Sequence, residues 1–315
     1  MKTGFRTMLF VCAALLAAPF MSACADEALA HINQGDTYME QGQQDEAIVE
    51  YGKAIELDPS RGVAYYKRGA LYGANGQYDL AIADLSKAIE LAPDMAAAYC
   101  DRAIAYVATG QVDLAIADLD KAIELDPDLA NAYSNRGAAY LNKGQYGLAV
   151  SDLSKAIELA PDMAAAYCDR AIAYGNTGQV DLAIADLDKA IELDPDLANA
   201  YSNRGAAYLS KSQYDLAISD LSKAIELAPY LAEAYSNRGW AYFNVEYYES
   251  AIVDLNMAIE LDPELAIAYC NRGWVYYTKK KQGLAIADFK KTIELSTDPA
   301  LIHAAEQGIK ALEGE

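Results

Sequence analysis

The residues best placed to do chemistry in this sequence are charged, and they recur. Arg68, Arg102, Arg136, Arg170, Arg204, Arg238 and Arg272 stand 34 residues apart, and each has an aspartate sixteen positions on: Asp84, Asp118, Asp152, Asp186, Asp220, Asp254 and Asp288. Guanidinium and carboxylate are complementary, so each Arg is expected to pair with an Asp on a facing helix, within its own repeat or between repeats. The competing reading is an arginine whose stem lies along apolar surface and whose head reaches water. Catalytic constellations are missing from the sequence. It has no glycine-rich phosphate loop and no G-x-S-x-G turn. His31 and His303 lie at opposite ends, without metal-ligand spacing. The Asp-Pro-Asp stretches at Asp126 to Asp128 and Asp194 to Asp196 lack the glycine and glutamate of a calcium loop and read as turn and helix-start chemistry. Cys100, Cys168 and Cys270 share one place in repeats that are not neighbours, too far apart for a disulfide. Asp101 and Asp169 beside two of them would raise a thiol pKa, so the cysteines read as small apolar residues. No enzyme, cofactor or metal is expected.

The elements that carry these residues follow from the period. Prolines fall at Pro59, Pro93, Pro127, Pro161, Pro195, Pro229 and Pro263, each 34 residues after the last. A fixed period of that length means one supersecondary unit repeated. In the repeat that begins at Ala130, Tyr133, Gly137, Tyr140, Ala149, Leu153 and Ala156 recur at helical spacing. The spacing predicts two helices, roughly Ala130 to Lys143 and Tyr146 to Leu159, broken at Gly144 and stopped at Pro161. Gly137 and Ala149 leave room for close approach, and Tyr133, Tyr140 and Leu153 are expected to fill it. A single pair cannot bury its apolar face; stacking does. The blocks 96–163 and 164–231 agree at 60 of 68 positions, and Val107-Ala108 of the first becomes Gly175-Asn176 in the second.

These positions resemble the tetratricopeptide repeat pattern, Trp-x2-Leu-Gly-x2-Tyr, then Ala-x3-Phe, then Ala and Pro. Tyr133, Gly137, Tyr140, Ala149, Leu153, Ala156 and Pro161 meet it, and Arg136 stands where the pattern has Leu. The resemblance covers residues 28–299 as eight tandem repeats and implies an all-α, right-handed superhelical α-solenoid. Residues 300–315, amphipathic through Leu301, Ile302, Ala305, Ile309 and Leu312, read as a capping helix and tail. Because the family's arginine place is ordinarily apolar, a charge there needs a partner. The resemblance also places a concave groove on the first helices. At its C-terminal end it would hold Ser236, Asn237, Trp240, Phe243, Asn244, Cys270, Asn271, Trp274, Tyr277 and Thr278. In its middle it would hold Asn135, Asn203 and their amide and hydroxyl neighbours. Family members that clamp a carboxylate terminus use Lys, Arg and Asn; here only Lys67 is basic, which argues against such a clamp. Trp240 and Trp274 are the only tryptophans. They suit a peptide with apolar anchors, Asn side chains holding its backbone. The alternative is that they pack under the last helix.

Residues 1–25 differ in kind. Lys2 and Arg6 precede an apolar run from Met8 to Phe20, as in a secretory signal peptide. Met21-Ser22-Ala23-Cys24 resembles a bacterial lipobox, with Cys24 as the lipidation site; Ala23-Cys24-Ala25 also fits simple cleavage. The expected setting is the periplasmic side of the outer membrane, or soluble export. A formal charge of −21 disfavours nucleic acid and anionic lipid as partners, leaving membrane attachment to the lipid alone. The expected function is a non-catalytic scaffold or adaptor for a protein or peptide ligand, by analogy with envelope members of the family. A structural spacer or self-assembling array with an idle groove is the alternative.

Overall fold

The computed structural model describes residues 26–314; the expected signal peptide and Cys24 lie outside them. The chain divides into two compact units, one ending at Leu159 and one starting at Ala160. The first contains α1 (26–40), α2 (Gln44–Leu57), α3 (Gly62–Ala74), α4 (Tyr78–Leu91), α5 (Ala96–Ala108), α6 (Val112–Leu125), α7 (Ala130–Asn142) and α8 (Tyr146–Leu159). The second contains α9 (Ala164–Asn176), α10 (Val180–Leu193), α11 (Ala198–Ser210), α12 (Tyr214–Leu227), α13 (Ala232–Asn244), α14 (Tyr248–Leu261), α15 (Ala266–Thr278), α16 (Gln282–Leu295) and α17 (Pro299–Glu313). No strand occurs among the described residues. Each unit is a stack of helical hairpins.

One hairpin explains the others. The turn after α7 is closed twice: Gly144 N donates to Leu141 O at 2.9 Å, and Gln145 N donates to Tyr140 O at 2.9 Å. That double closure needs a left-handed residue between the two donors, and Gly144 supplies it at φ 68°. Ser212, Glu246 and Lys280 hold the same place in later hairpins at φ 56°, 64° and 57°, a conformation that costs a residue with a Cβ. On α8, Ala149, Asp152, Leu153 and Ala156 form the buried stripe. Leu153 drops into the gap left by Gly137, where an added Cβ would come within 2.6 Å of Leu153 Cγ. The tyrosines do less filling than the spacing suggests: Tyr133 and Tyr140 are half-buried, and the Tyr133 ring lies 5.7 Å from the Arg136 guanidinium.

The Asp-Pro stretches are turns, not helix caps. Asp126 Oδ1 accepts from Asp128 N, and Asp194 Oδ1 from Asp196 N, both at 3.1 Å; the following helices have no side-chain cap. α17 is the exception, with Asp298 accepting from Ala300 N at 2.9 Å and Pro299 in its first turn. It lays Ala305, Ile309 and Leu312 over Phe289. Gly308 admits that ring, since a Cβ there would meet Phe289 at 2.4 Å.

Candidate functional site

Every repeated arginine finds its aspartate, and finds it inside its own hairpin. Arg136 Nε donates to Asp152 Oδ2 at 2.6 Å and Arg136 Nη2 to Asp152 Oδ1 at 2.8 Å. The same two-pronged contact joins Arg68 to Asp84, Arg102 to Asp118, Arg170 to Asp186, Arg204 to Asp220, Arg238 to Asp254 and Arg272 to Asp288. The aspartates are buried. Asp152 holds the Arg136 guanidinium above its ordinary pKa. In Arg102, Arg136, Arg204, Arg238 and Arg272 the remaining nitrogen reaches back sixteen residues to the preceding hairpin. Arg136 Nη1 donates to Asp120 at 2.6 Å, Arg204 Nη1 to Asp188 at 2.6 Å, and Arg238 Nη1 to Ser222 at 3.0 Å. In five hairpins the guanidinium also lies between two tyrosine rings, as Arg204 does at 5.7 Å from Tyr201 and 6.0 Å from Tyr208. The arginine is therefore structural: it ties the two helices of its hairpin, and where the third contact is made it ties the preceding hairpin at the same point.

The first hairpin solves the same problem with other residues. Glu50, buried at the aspartate place, accepts from His31 Nδ1 at 2.5 Å and from Lys53 Nζ at 2.7 Å. The Lys53 and His31 contacts hold its carboxyl below the usual range. The sequence offered a signal for this, since His31 precedes Glu50 by nineteen residues, the spacing that the tyrosine at the same place keeps from its aspartate in later repeats.

The expected groove residues separate into three sets. Asn237, Trp240, Phe243 and Asn244 share α13 and are half-buried. Trp240 stacks on Phe243 with centroids 5.0 Å apart, and Asn244 Nδ2 donates to Trp240 O at 2.8 Å. Asn135 and Asn203 are half-buried as well; Asn203 Nδ2 donates to Cys168 Sγ at 3.6 Å. Asn271 departs from expectation. It is buried and donates to the buried Ser236 Oγ at 3.4 Å, so its amide links α15 to α13. Trp274 and Tyr277 pack on the cluster that α17 covers, Trp274 edge-on to Phe289 at 5.2 Å. The aromatic end thus belongs to α13 more than to α15.

Burial pushes the thiols up, Cys100 to about 12 and Cys168 and Cys270 to about 11, with Asp101 and Asp169 adding to the first two. All three are buried, as small packing residues are. Among the described residues no cluster of three His, Cys, Asp or Glu could hold a metal ion.

Burial raises two carboxyls at equivalent places on the first helices, Asp101 and, with the larger shift, Asp169. Asp169 rises to about 6 from 3.8. The folded chain then binds more protons than the unfolded one between those values, so this group's contribution falls as pH rises through that window. Asp169→Asn is accordingly expected to melt above the wild type at pH 7 by of the order of 1 kcal/mol, with the advantage gone by pH 4. Thermal melts of both proteins from pH 4 to 7 check this; a gap that does not change with pH refutes it.

In comparison with known proteins, the family model described as TPR repeat matches residues 35–76, 105–144, 176–212 and 247–280. Two models described as tetratricopeptide repeat match 62–95, 130–163 and 198–231, and 266–299. No curated protein matches. Among solved structures, a chain of the APC/C hetero-tetramer Cut9-Hcn1 is similar at TM-score 0.70 and 21% identity, over 85% of this chain and 52% of that one. This chain spans about half the length of that relative. PilW, titled a widely conserved type IV pilus biogenesis factor, is similar at TM-score 0.59 and 20% identity, over 66% of this chain and 96% of its own. YrrB, titled a TPR protein with an unusual peptide-binding site, shares 28% identity at TM-score 0.48, over 58% of this chain and 95% of its own. The Cut9-Hcn1 chain and PilW share the all-α solenoid fold, and the family models together span most of the sequence; the chain belongs to the tetratricopeptide repeat family.

Proposed function

We propose that this chain is an exported scaffold that holds a peptide or protein segment against its first helices, with α13 as the anchoring element. The family is one of protein–protein interaction scaffolds, and no enzymatic family is indicated. The observation that carries the reading to α13 is the Trp240–Phe243 stack, half-buried and flanked on the same helix by the amides of Asn237 and Asn244. A large aromatic ring with a polar edge beside adaptable amides is what interface hot spots use. Export is supported by the basic, then apolar, then small-residue run of 1–25, and outer-membrane attachment by Cys24 in its lipobox-like setting. Among the described residues no helix is long and apolar enough to cross a membrane.

Selection from a displayed peptide library on the wild type and on Trp240→Ala tests the binding half. Peptides enriched on the wild type should bind Trp240→Ala at least tenfold more weakly, a loss of about 1.4 kcal/mol or more. Equal binding by both proteins removes α13 from the site. Fractionation of cells carrying the wild type or Cys24→Ser tests the export half: both in the cytoplasm would end it.

A further inference from the structure

The two near-identical blocks differ at eight positions, and the differences are not scattered. Between α9 and α11 lies an apolar cleft of about 300 Å³, lined by Ala171, Ile172, Val180, Leu187 and Ala207. Gly175, Asn176 and Ser210 complete its wall. An added Cβ at Gly175 would find no atom within 4 Å. The corresponding residue of the first block is Val107, whose side chain packs on the cluster of Cys100 and Leu119. Loss of that side chain leaves the space open.

A second cleft of about 380 Å³ adjoins the first through Ile172 and Asn203, and its wall includes Asp169, Glu233, Tyr230 and Leu231. Gly175, Asn176, Ser210, Tyr230 and Leu231 replace Val107, Ala108, Asn142, Asp162 and Met163 of the first block, so five of the eight differences line these two clefts. Neither cleft is lined by a lysine or an arginine. Asp169 has lost much of its hydration to burial without gaining a basic neighbour among the lining residues. Tyr230, 74% exposed, stands where the first block has an aspartate.

We propose that the second unit seats a basic peptide, with a large apolar side chain in the Gly175 cleft and a lysine or arginine on Asp169 and Glu233. The occupant follows from complementarity. The first cleft is apolar and wants a hydrocarbon or aromatic side chain. The second presents two carboxylates in a chain of formal charge −21 and offers no internal cation. A bound cation restores to Asp169 the interaction that burial removed. An acidic partner would meet only repulsion there. This proposal rests on the scaffold reading above and adds the chemistry of the ligand.

The test uses the full chain and a random displayed peptide library. Enriched peptides are expected to carry Lys or Arg within a few residues of a large apolar side chain. Titrated by fluorescence polarisation, they are expected to bind about tenfold or more weakly to Gly175→Val/Asn176→Ala and to Asp169→Asn. The double variant restores the residues of the sister repeat, and Asp169→Asn keeps the side chain's shape, so both test the site in a folded protein. Enriched peptides without basic residues, or binding that neither variant changes, overturns the proposal. If those same peptides still depend on Trp240, the scaffold reading stands while this one falls. If the wild type enriches nothing, both fall.

Discussion

Arg136→Met will destabilise the fourth hairpin by about 2–4 kcal/mol, although it replaces a charge with a helix-forming apolar side chain of similar length. The loss comes from what is left behind. Asp152 is 7% exposed and takes both of its ordered contacts from Arg136. Without them it keeps a charge in a place water barely reaches. Asp152→Asn costs less, because Arg136 retains Asp120, whose side chain is 56% exposed. The double variant should be more stable than the sum of the single losses by about 2 kcal/mol, since neither buried charge then lacks a partner. Arg136→Lys should recover only part of the wild-type stability; a lysine keeps the charge and loses the fork that meets both carboxylate oxygens. Chemical denaturation of the four proteins measures the coupling. Additive single effects would reduce the contact to two independent surface charges.

Phe289→Ala should cost about 3–5 kcal/mol, confined to the C-terminal end of the chain. Phe289 is fully buried and stands where α8 has Leu153. Its ring meets Gly273 on α15, Gly308 on α17 and Trp274 edge-on. The side chain therefore joins three helices, and its removal leaves a void that two glycines cannot fill. Hydrogen exchange should quicken across α15, α16 and α17 while the unit ending at Leu159 keeps its protection, because each repeat depends chiefly on its neighbours. Phe289→Leu, the residue usual at that place, should cost only about 1 kcal/mol. A loss below 1 kcal/mol for Phe289→Ala, or acceleration spread evenly over the chain, contradicts this account of α17 as a cap.

Much of the hairpin was legible because period and spacing are local facts. Gly144 and Pro161 bracket helices whose ends differ from the expected ones by a residue at most: Ala130–Asn142 against a predicted end at Lys143, and Tyr146–Leu159 as predicted. The Arg–Asp pairing was legible for the same reason, since sixteen residues across a tight turn bring two facing helices level. What the sequence withheld depends on packing between repeats. Asn271 and Asn237 occupy the same place in consecutive repeats, yet one is buried against Ser236 and the other is half-open. Trp274 turns toward Phe289 because a phenyl ring replaces the usual leucine and Gly308 makes room for it. Glu50 takes up the aspartate's place by gathering His31 and Lys53 instead of one arginine. The Gly175-Asn176 change stood out in the sequence, but a missing side chain becomes a cleft only once α11 is set beside α9.

The account stands on the first helices of the second unit as a ligand surface. Hydrogen exchange on the wild-type chain, with and without a saturating enriched peptide, reads that surface directly. Slowed exchange is expected in α9, α11 and α13 and at the Val180 and Leu187 face of α10, with α12 and α14 unchanged. Protection confined to the second helices, or no change anywhere with the peptide bound, would contradict it.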